Sequence, residues 1–329
     1  MTDSTQKTPG AWRAALFLFV MATLIPELLI GSTPLSRINQ LIFQFPLYGS
    51  AALVIREMVI RFRLGRAGLV VLGLAYGVTI EGLALQSLFN PHFLTLDISF
   101  GRAAGVNWPW AIYMVAYHAL WSVTIPVTLA ELVFPQRATE SWLGRFGTGA
   151  FFVWLLVMVA AFRAIFVKMS GYQAPVAQYA GAAGLIVLLA LVGLQLKRSE
   201  PSGTAAAPAR MVPGVFMFLF GLLWLVLYGD IFHHPHLLSV TGNLVAALVL
   251  ATGFALLSRQ LARAAWTPCH WLAFVAGGLA ANSLFGFVVV TGSINGSKVD
   301  LYGQVGIVVL VAIGLVALSR RLARRGEVS

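Results

Sequence analysis

The sequence predicts an all-α, polytopic transmembrane helix bundle of about ten spans, and three observations support this prediction. Of the 329 residues, 59% are hydrophobic and only 10% are charged, whereas soluble domains average about 25% charged residues. Apolar runs of about 20 residues, the length that crosses a bilayer core, recur along the whole chain. The basic residues also alternate between successive connections. Together these features argue against a soluble protein.

The apolar runs define ten spans in the chain. In order they are 12–31, 39–62, 67–90, 108–134, 147–169, 176–196, 213–232, 238–262, 268–293 and 302–322. The first run follows a short polar start without a small-residue cleavage site, so it is predicted to be a retained span. Residues 198–212 are rich in Ser, Pro and Ala and are predicted to be a cytoplasmic linker. This linker separates an N-terminal bundle, 1–197, from a C-terminal bundle, 213–329.

The Lys and Arg residues predict the orientation of these spans. Seventeen fall in one set of loops and termini and four in the other, with Arg163 inside the fifth span. The positive-inside rule therefore places both termini in the cytoplasm and the protein in the cell membrane. The net charge of +11 is then explained by anionic lipid headgroups, so the lipid bilayer is the expected partner and nucleic acid is not. The single cysteine, Cys269, excludes an internal disulfide.

One span carries a charge near its middle. Glu81 lies within the apolar stretch Leu69–Asn90, where a carboxylate costs ~2.5–3.5 kcal/mol on insertion and usually has a partner. The next span supplies His118 as that partner. At a rise of about 1.5 Å per residue, Glu27, Glu81, His118 and Arg163 all lie in the outer half of the bilayer, within about 10 Å of one another in depth. This coincidence predicts one shared site.

Polar side chains close to this pair extend the predicted site. His118 and Ser122 are four residues apart and share a helix face, while Pro126 cannot donate to the carbonyl oxygen of Ser122. Gln86 and Asn90 continue a polar line from Gly82 along the third span. The predicted substrate or proton pocket therefore comprises Glu27, Gln86, Asn90, Ser122 and Arg163. A buried ion network that only fixes helix packing remains the alternative.

Two segments on either side of the proposed linker resemble each other. Gly82–Phe89 and Gly278–Phe285 are identical at six of eight positions. Both spans run in the same direction, so a duplication would relate spans one to four with spans seven to ten as parallel repeats, which some transporters contain. Gly277 takes the place of Glu81 in the second copy, so any chemistry belongs to the first half. Coincidence in a Leu/Ala/Gly-rich chain is the alternative.

The remaining polar clusters have simpler interpretations. The connection 91–107, which contains His92 and Asp97, is a cap or a lid on the helices, and Trp108 and Trp110 after it are predicted interfacial anchors. Glu57 and Arg61 are expected to form an i, i+4 ion pair at a helix end. The cluster Asp230, His233, His234 and His236 has the residue types of a zinc site but is expected to be an ordinary loop. No metal site is predicted, and the sequence indicates no particular cofactor.

Three motifs occur in order between residues 56 and 122: Arg56-Glu57-Met-Val-Ile-Arg61, Tyr76-Gly-Val-Thr-Ile-Glu81 and His118-Ala-Leu-Trp-Ser122. Their order resembles the CAAX-processing and bacteriocin-processing intramembrane protease superfamily. Arg56 stands where that family has its first glutamate, Glu81 where a histidine is commoner, and Ser122 where it has an asparagine. The resemblance implies hydrolysis within the membrane, with Glu57 as general base and His118 polarising water or stabilising the oxyanion.

Two functions follow as hypotheses. One is an intramembrane hydrolase that uses Glu81 and His118, with or without Glu57, on a peptide or lipid substrate. The predicted topology separates Glu57 from Glu81 by roughly 15–20 Å in depth at the helical rise per residue. The other is a proton-coupled secondary transporter built from parallel repeats. A scaffold or assembly factor without chemistry is the third possibility.

Overall fold

The computed structural model confirms the all-α class. It describes residues 10–93, 96–97, 100–198, 208–232, 237–261, 266–292 and 297–325. The α-helices in these ranges are α1 (Ala11–Thr23), α2 (Leu41–Arg61), α3 (Arg66–Val78), α4 (Trp108–Tyr117), α5 (Ile125–Val133), α6 (Gly144–Ser170), α7 (Val176–Gln195), α8 (Val212–Phe232), α9 (Val240–Leu261), α10 (Pro268–Gly292) and α11 (Lys298–Arg324).

Shorter elements continue or connect these helices. The π-helical segments are Leu24–Leu29 after α1, Thr79–Ala84 after α3 and His118–Thr124 between α4 and α5. The 3₁₀ segments are Leu35–Gln40 and Pro135–Arg137. Two antiparallel pairs of strands lie between α3 and α4: β1 (His92–Phe93) with β2 (Leu96–Asp97), and β3 (Arg102–Ala103) with β4 (Val106–Asn107).

Nine helical stretches in the described residues are long and apolar enough to cross a membrane. They are Ala11–Leu29, Leu35–Arg61, Arg66–Ala84, Trp108–Val133, Gly144–Ser170, Val176–Gln195, Val212–Phe232, Pro268–Gly292 and Lys298–Arg324. At the position of the predicted eighth span lies α9, whose part Val240–Leu256 is a shorter apolar helix. The multi-pass architecture is therefore as predicted.

The third span ends earlier than predicted. Its helix stops at Ala84 rather than continuing to Asn90, because Gln86 has a left-handed backbone with φ of 60°. The Gln86 side-chain Oε1 accepts a hydrogen bond of 2.9 Å from the backbone N–H of Ala174, which holds the turn in place. The polar line from Gly82 through Gln86 and Asn90 therefore does not exist on a helix face. No Gly or Pro marks this turn in the sequence.

This turn gives a prediction about stability. Replacing Gln86 by Ala removes the acceptor of the Ala174 N–H and keeps a β-carbon in the left-handed region, whereas replacing it by Gly removes only the acceptor. The left-handed conformation costs a non-glycine residue roughly 1–2 kcal/mol. We therefore expect Gln86→Ala to be less stable than Gln86→Gly by about 1 kcal/mol. Thermal unfolding of both variants in the same detergent measures the difference. Equal stability would contradict a left-handed backbone at position 86.

The two similar segments differ in backbone structure. Gly82–Phe89 leaves the helix after Ala84, whereas Gly278–Phe285 lies inside the uninterrupted helix α10. Gly277 packs directly on α8, and a β-carbon added there would lie 2.1 Å from the carbonyl oxygen of Gly214. No side chain fits at Gly277 without moving the α8 backbone, so this position cannot carry a counterpart of Glu81.

The chain divides into two compact units. Unit 1 comprises Met1–Thr23 and Ile42–Arg198, and unit 2 comprises Leu24–Leu41 and Ser199–Ser329. The break after Arg198 falls at the start of the predicted linker, whereas the assignment of Leu24–Leu41 to unit 2 was not predicted. In unit 1, α3 packs against α7 and against the π-helical segment His118–Thr124. In unit 2, α8 packs along α10.

Unit 2 binds its N-terminal segment through buried amides. Asn282 Nδ2 donates to the carbonyl oxygen of Ile25 at 2.8 Å, and Gln304 Nε2 donates to that of Leu29 at 2.7 Å. Asp300 accepts two further bonds from Ser36, at its backbone N–H and its hydroxyl.

Asn282 is therefore expected to stabilise unit 2. In Asn282→Leu the Ile25 carbonyl stays buried without its donor, which costs about 1–3 kcal/mol. The matched control is Ser283→Ala, because the Ser283 hydroxyl bonds only the Leu279 carbonyl of its own helix at 2.7 Å. Chemical denaturation in detergent should show a clear loss of unfolding free energy for Asn282→Leu and a small change for Ser283→Ala. Equal losses would contradict a special role for Asn282.

Candidate functional site

Both residues of the predicted pair lie in π-helical segments. Glu81 belongs to Thr79–Ala84 and His118 to His118–Thr124. In the second segment the N–H of Ile125 bonds the carbonyl oxygen of Leu120, five residues earlier. Single π-helical turns inside α-helices occur frequently at functional sites. Gly82 lies within the first segment, and Pro126, which cannot donate to the carbonyl oxygen of Ser122, follows the second.

The structure brings Glu81, His118 and Ser122 into one hydrogen-bonded chain. His118 Nε2 lies 2.8 Å from Glu81 Oε1, and His118 Nδ1 lies 2.9 Å from Ser122 Oγ. The three residues are 2%, 2% and 0% exposed, in that order. An ionised carboxylate only accepts hydrogen bonds. With Glu81 ionised and one proton on the ring, Nε2 donates to Glu81 and Nδ1 accepts from the Ser122 hydroxyl.

The second oxygen of Glu81 is also occupied. Trp110 Nε1 donates to Glu81 Oε2 at 3.0 Å, and the hydroxyl of Ser87 donates to the same oxygen. Trp110 is therefore not the interfacial anchor that the sequence predicted, because its indole is 3% exposed and faces the carboxylate. Both donors lie in or next to the connection between α3 and α4. Their contact with Glu81 depends on the fold of that connection, so sequence spacing did not reveal it.

Aromatic rings surround His118. The rings of Tyr48, Tyr76 and Tyr117 have centroids 5.8, 6.0 and 5.9 Å from the imidazole centroid. All three tyrosines are buried. Such surroundings keep the local dielectric low, which strengthens the hydrogen bonds of the chain. The sequence did not predict that these tyrosines surround His118, although Tyr76 lies near Glu81 in the sequence.

The other predicted pocket residues have different partners. The Arg163 guanidinium stacks on the Tyr179 ring at 4.1 Å from its centroid. Glu27, in unit 2, accepts side-chain hydrogen bonds from Ser32 at 3.0 Å and Thr33 at 2.9 Å. Equal depth was therefore a correct guide for Glu81 with His118, but it did not identify Tyr179 as the partner of Arg163. The grouping of Glu27 with this pair stays a prediction.

Gln86 and Asn90 shape the connection instead of lining the site. Gln86 bonds Ala174 as described above, and Asn90 Oδ1 accepts from the backbone N–H of His92 at 3.0 Å. Both side chains are buried. Their role in the structure is to fix the turn and the start of β1.

Glu57 belongs to a separate buried cluster. Its carboxylate accepts from the backbone N–H of Trp142 at 2.7 Å, from the Ser141 hydroxyl and from Arg56 at 3.2 Å. The predicted i, i+4 pair with Arg61 is wrong, because Arg61 points to Thr148. The neighbouring Arg56 also donates to three backbone carbonyls of the loop between α5 and α6, those of Arg137, Ala138 and Glu140.

The remaining candidates lie partly outside the described residues. His92 is exposed on β1. Nothing is described of the side chain of Asp97 or of His233, His234 and His236. Asp230 accepts from the backbone N–H of Leu238 at 3.2 Å and from Asn243 at 3.0 Å. Among the described residues, no group of three or more His, Cys, Asp or Glu side chains is placed to hold a metal ion.

The fold and the site define a class: a polytopic α-helical membrane protein with a buried Glu–His–Ser hydrogen-bonded chain. The chain belongs to an uncharacterized membrane protein family, whose family model matches residues 16–325. No curated protein and no solved structure matches it.

Proposed function

We propose that this protein is an intramembrane hydrolase that cleaves an amide or ester bond, with Ser122 as nucleophile. The supporting observation is the chain in which His118 contacts Ser122 at Nδ1 and Glu81 at Nε2. A nucleophile bonded to a base that is oriented by a third group is the arrangement that activates serine in many unrelated hydrolases. The roles follow from the geometry of the three side chains.

The reaction proceeds in two balanced halves. Ser122 Oγ attacks the substrate carbonyl carbon while its proton moves to His118 Nδ1, and the resulting imidazolium is stabilised by Glu81 through Nε2–H. The bond to the leaving amine or alcohol then breaks, and the leaving group takes the proton from Nδ1. A water molecule repeats the sequence on the acyl-serine, which releases the carboxylic acid and restores Ser122. Glu81 keeps its charge throughout.

The surroundings of the site indicate the class of substrate. The hydrogen-bonded residues Glu81, His118 and Ser122 lie in unit 1 among apolar helices, and the tyrosines around His118 are buried. A substrate that reaches it is therefore expected to be embedded in the membrane, as a lipid or a membrane peptide. The proposal includes the cell membrane as location and both termini in the cytoplasm, because the Lys and Arg distribution favours that orientation.

The resemblance to the CAAX-processing and bacteriocin-processing superfamily favours the same reaction class. Its general base would correspond to Glu57, whose carboxylate is occupied by Ser141, Trp142 and Arg56. The proposal therefore assigns the chemistry to Glu81, His118 and Ser122 and leaves Glu57 in its structural cluster.

One observation favours the alternative, a proton-coupled transporter. The helices that carry Glu81 and His118 both change to π-helical geometry at these residues, and interrupted helices form the binding sites of many transporters. A transporter requires proton uptake into liposomes that depends on Glu81 and His118 but tolerates Ser122→Ala. A hydrolase requires Ser122 and no proton gradient.

Labelling with a fluorophosphonate tests the proposal, because this probe forms a phosphorus–oxygen bond only with an activated serine and releases fluoride. We expect an alkyl fluorophosphonate to label the protein in its native membrane at Ser122, as located by peptide mass spectrometry. Ser122→Ala should abolish the labelling, whereas Ser283→Ala, which changes a buried serine of unit 2, should leave it intact. Absence of labelling at Ser122 in the wild-type protein would overturn the proposal.

A further inference from the structure

Trp110 differs from its near neighbour Trp108 in a way that points to the site. Trp108 is 49% exposed and donates its indole N–H to the carbonyl oxygen of Ala103 at 3.2 Å. Trp110 is 3% exposed and donates its indole N–H to Glu81 Oε2 at 3.0 Å. Two tryptophans in the first turn of one helix therefore have opposite environments, and only one of them bonds a charged group.

The backbone at Trp110 is fixed by a buried asparagine. Asn107 caps α4, because its Oδ1 accepts from the backbone N–H of Trp110 at 2.7 Å. Its Nδ2 donates to the carbonyl oxygen of Phe100 at 2.9 Å, and its backbone N–H donates to that of Leu88 at 2.9 Å. Asn107 thus joins the start of α4 to the connection that follows Glu81.

The indole ring itself contacts Phe93 at an interplanar angle of 55°. The Phe93 ring lies 5.8 Å from the Trp110 ring and stacks on Phe166 of α6 at 5.7 Å. Aromatic pairs at these distances add stabilisation beyond burial of their surface. The cap and the ring contacts together leave the indole little freedom to turn its N–H away from Glu81.

The same connection is anchored on its far side. Arg102 Nη2 donates to the carbonyl oxygens of Phe89 and Gly105, both at 2.6 Å, and the Tyr172 hydroxyl donates to Phe89 at 3.0 Å. Burial raises the pKa of the Tyr172 phenol, while the positive charge of Arg102 acts in the opposite direction. Tyr172 therefore joins Phe89 to the segment before α7, and Arg102 joins Phe89 to Gly105 within the connection.

We propose that Trp110 is a positioning residue for Glu81, an inference that rests on the proposed hydrolase function. With Oε2 occupied by the indole N–H and by Ser87, the carboxylate plane is fixed and Oε1 faces His118 Nε2. That contact sets the imidazole orientation from which Nδ1 accepts the Ser122 proton. Trp110 touches no reacting atom and acts through Glu81.

A single-atom change tests this role. Benzothienylalanine at position 110 replaces the indole N–H by sulfur and keeps the ring shape, so the ring contact with Phe93 is retained. We expect the rate of fluorophosphonate labelling at Ser122 to fall by on the order of 10–100-fold, the usual effect of losing a hydrogen bond that orients a site residue. The melting temperature should stay near that of the wild-type protein. The same replacement at Trp108 is the matched control and should change neither quantity.

A second measurement keeps this inference separate from the proposed function. In ¹⁵N-tryptophan NMR spectra, Glu81→Gln replaces the charged acceptor of Trp110 by a neutral one, so the Trp110 indole signal should shift and the Trp108 signal should not. If Ser122 is not labelled in the wild-type protein, the hydrolase proposal fails while this shift still decides the contact. A full labelling rate with benzothienylalanine at position 110, or an unmoved Trp110 signal, would overturn the positioning role.

Discussion

Glu81→Gln is expected to lower the rate of Ser122 labelling by about 10⁴-fold, the magnitude seen when the acid of a serine triad becomes an amide. Trp110 and Ser87 both donate to Oε2, so the glutamine must turn its carbonyl oxygen toward them. Its NH₂ group then faces His118, which must accept at Nε2 and carry its proton on Nδ1. That tautomer donates to Ser122 and no longer takes its proton.

The fold should survive this change. Glutamine has nearly the shape of glutamate, and every group around position 81 keeps a hydrogen-bond partner after the tautomer switches. The control is Glu131→Gln, which changes another carboxylate of unit 1, one that pairs with Arg66 at 2.7 Å. It should label at the wild-type rate. Labelling of Glu81→Gln within tenfold of the wild-type rate would show that Glu81 does not orient the base.

Arg56→Met is expected to cause the largest loss of stability, about 3–5 kcal/mol, which is typical when one partner of a buried ion pair is removed. Arg56 is 0% exposed, bonds Glu57, and stacks on the Trp142 ring with 3.6 Å between the guanidinium carbon and the ring centroid. Methionine fills part of the volume but leaves Glu57 without its cation. The backbone carbonyls that Arg56 bonds also lose their donor.

The matched control for Arg56 is Arg61→Met. Arg61 lies in the last turn of the same helix, is exposed, and makes a 3.5 Å contact with Thr148. Unfolding of both variants by increasing SDS in mixed micelles measures the difference. A loss below about 1 kcal/mol for Arg56→Met, which is the range of exposed ion pairs, would mean that the Arg56 cluster does not stabilise unit 1.

The sequence was sufficient for the fold class and for the two contacts that His118 makes with Glu81 and Ser122. Hydrophobic run length depends on bilayer thickness, so the spans could be located without tertiary information. The contact between Glu81 and His118 could be predicted because a carboxylate inside an apolar span requires a partner. Few other polar groups lie at that depth. Ser122 followed from the helical spacing of four residues.

The rest of the site depended on information that spacing does not contain. Depth along a helix does not specify which helices are neighbours, so it did not reveal that Arg163 stacks on Tyr179. The left-handed Gln86 has no Gly or Pro signal at its own position, so the third span was extended too far. Trp110 and Glu81 are 29 residues apart in the sequence, so spacing does not predict their contact.

The tautomer of His118 tests the central claim most directly. The chain has six histidines, and a ¹⁵N-histidine NMR spectrum compared with that of His118→Asn identifies the His118 signals. We predict a proton-bearing nitrogen at Nε2 and an unprotonated nitrogen at Nδ1, and the reverse pattern in Glu81→Gln. A wild-type ring that carries its proton on Nδ1 would contradict the account, because Ser122 would then have no base.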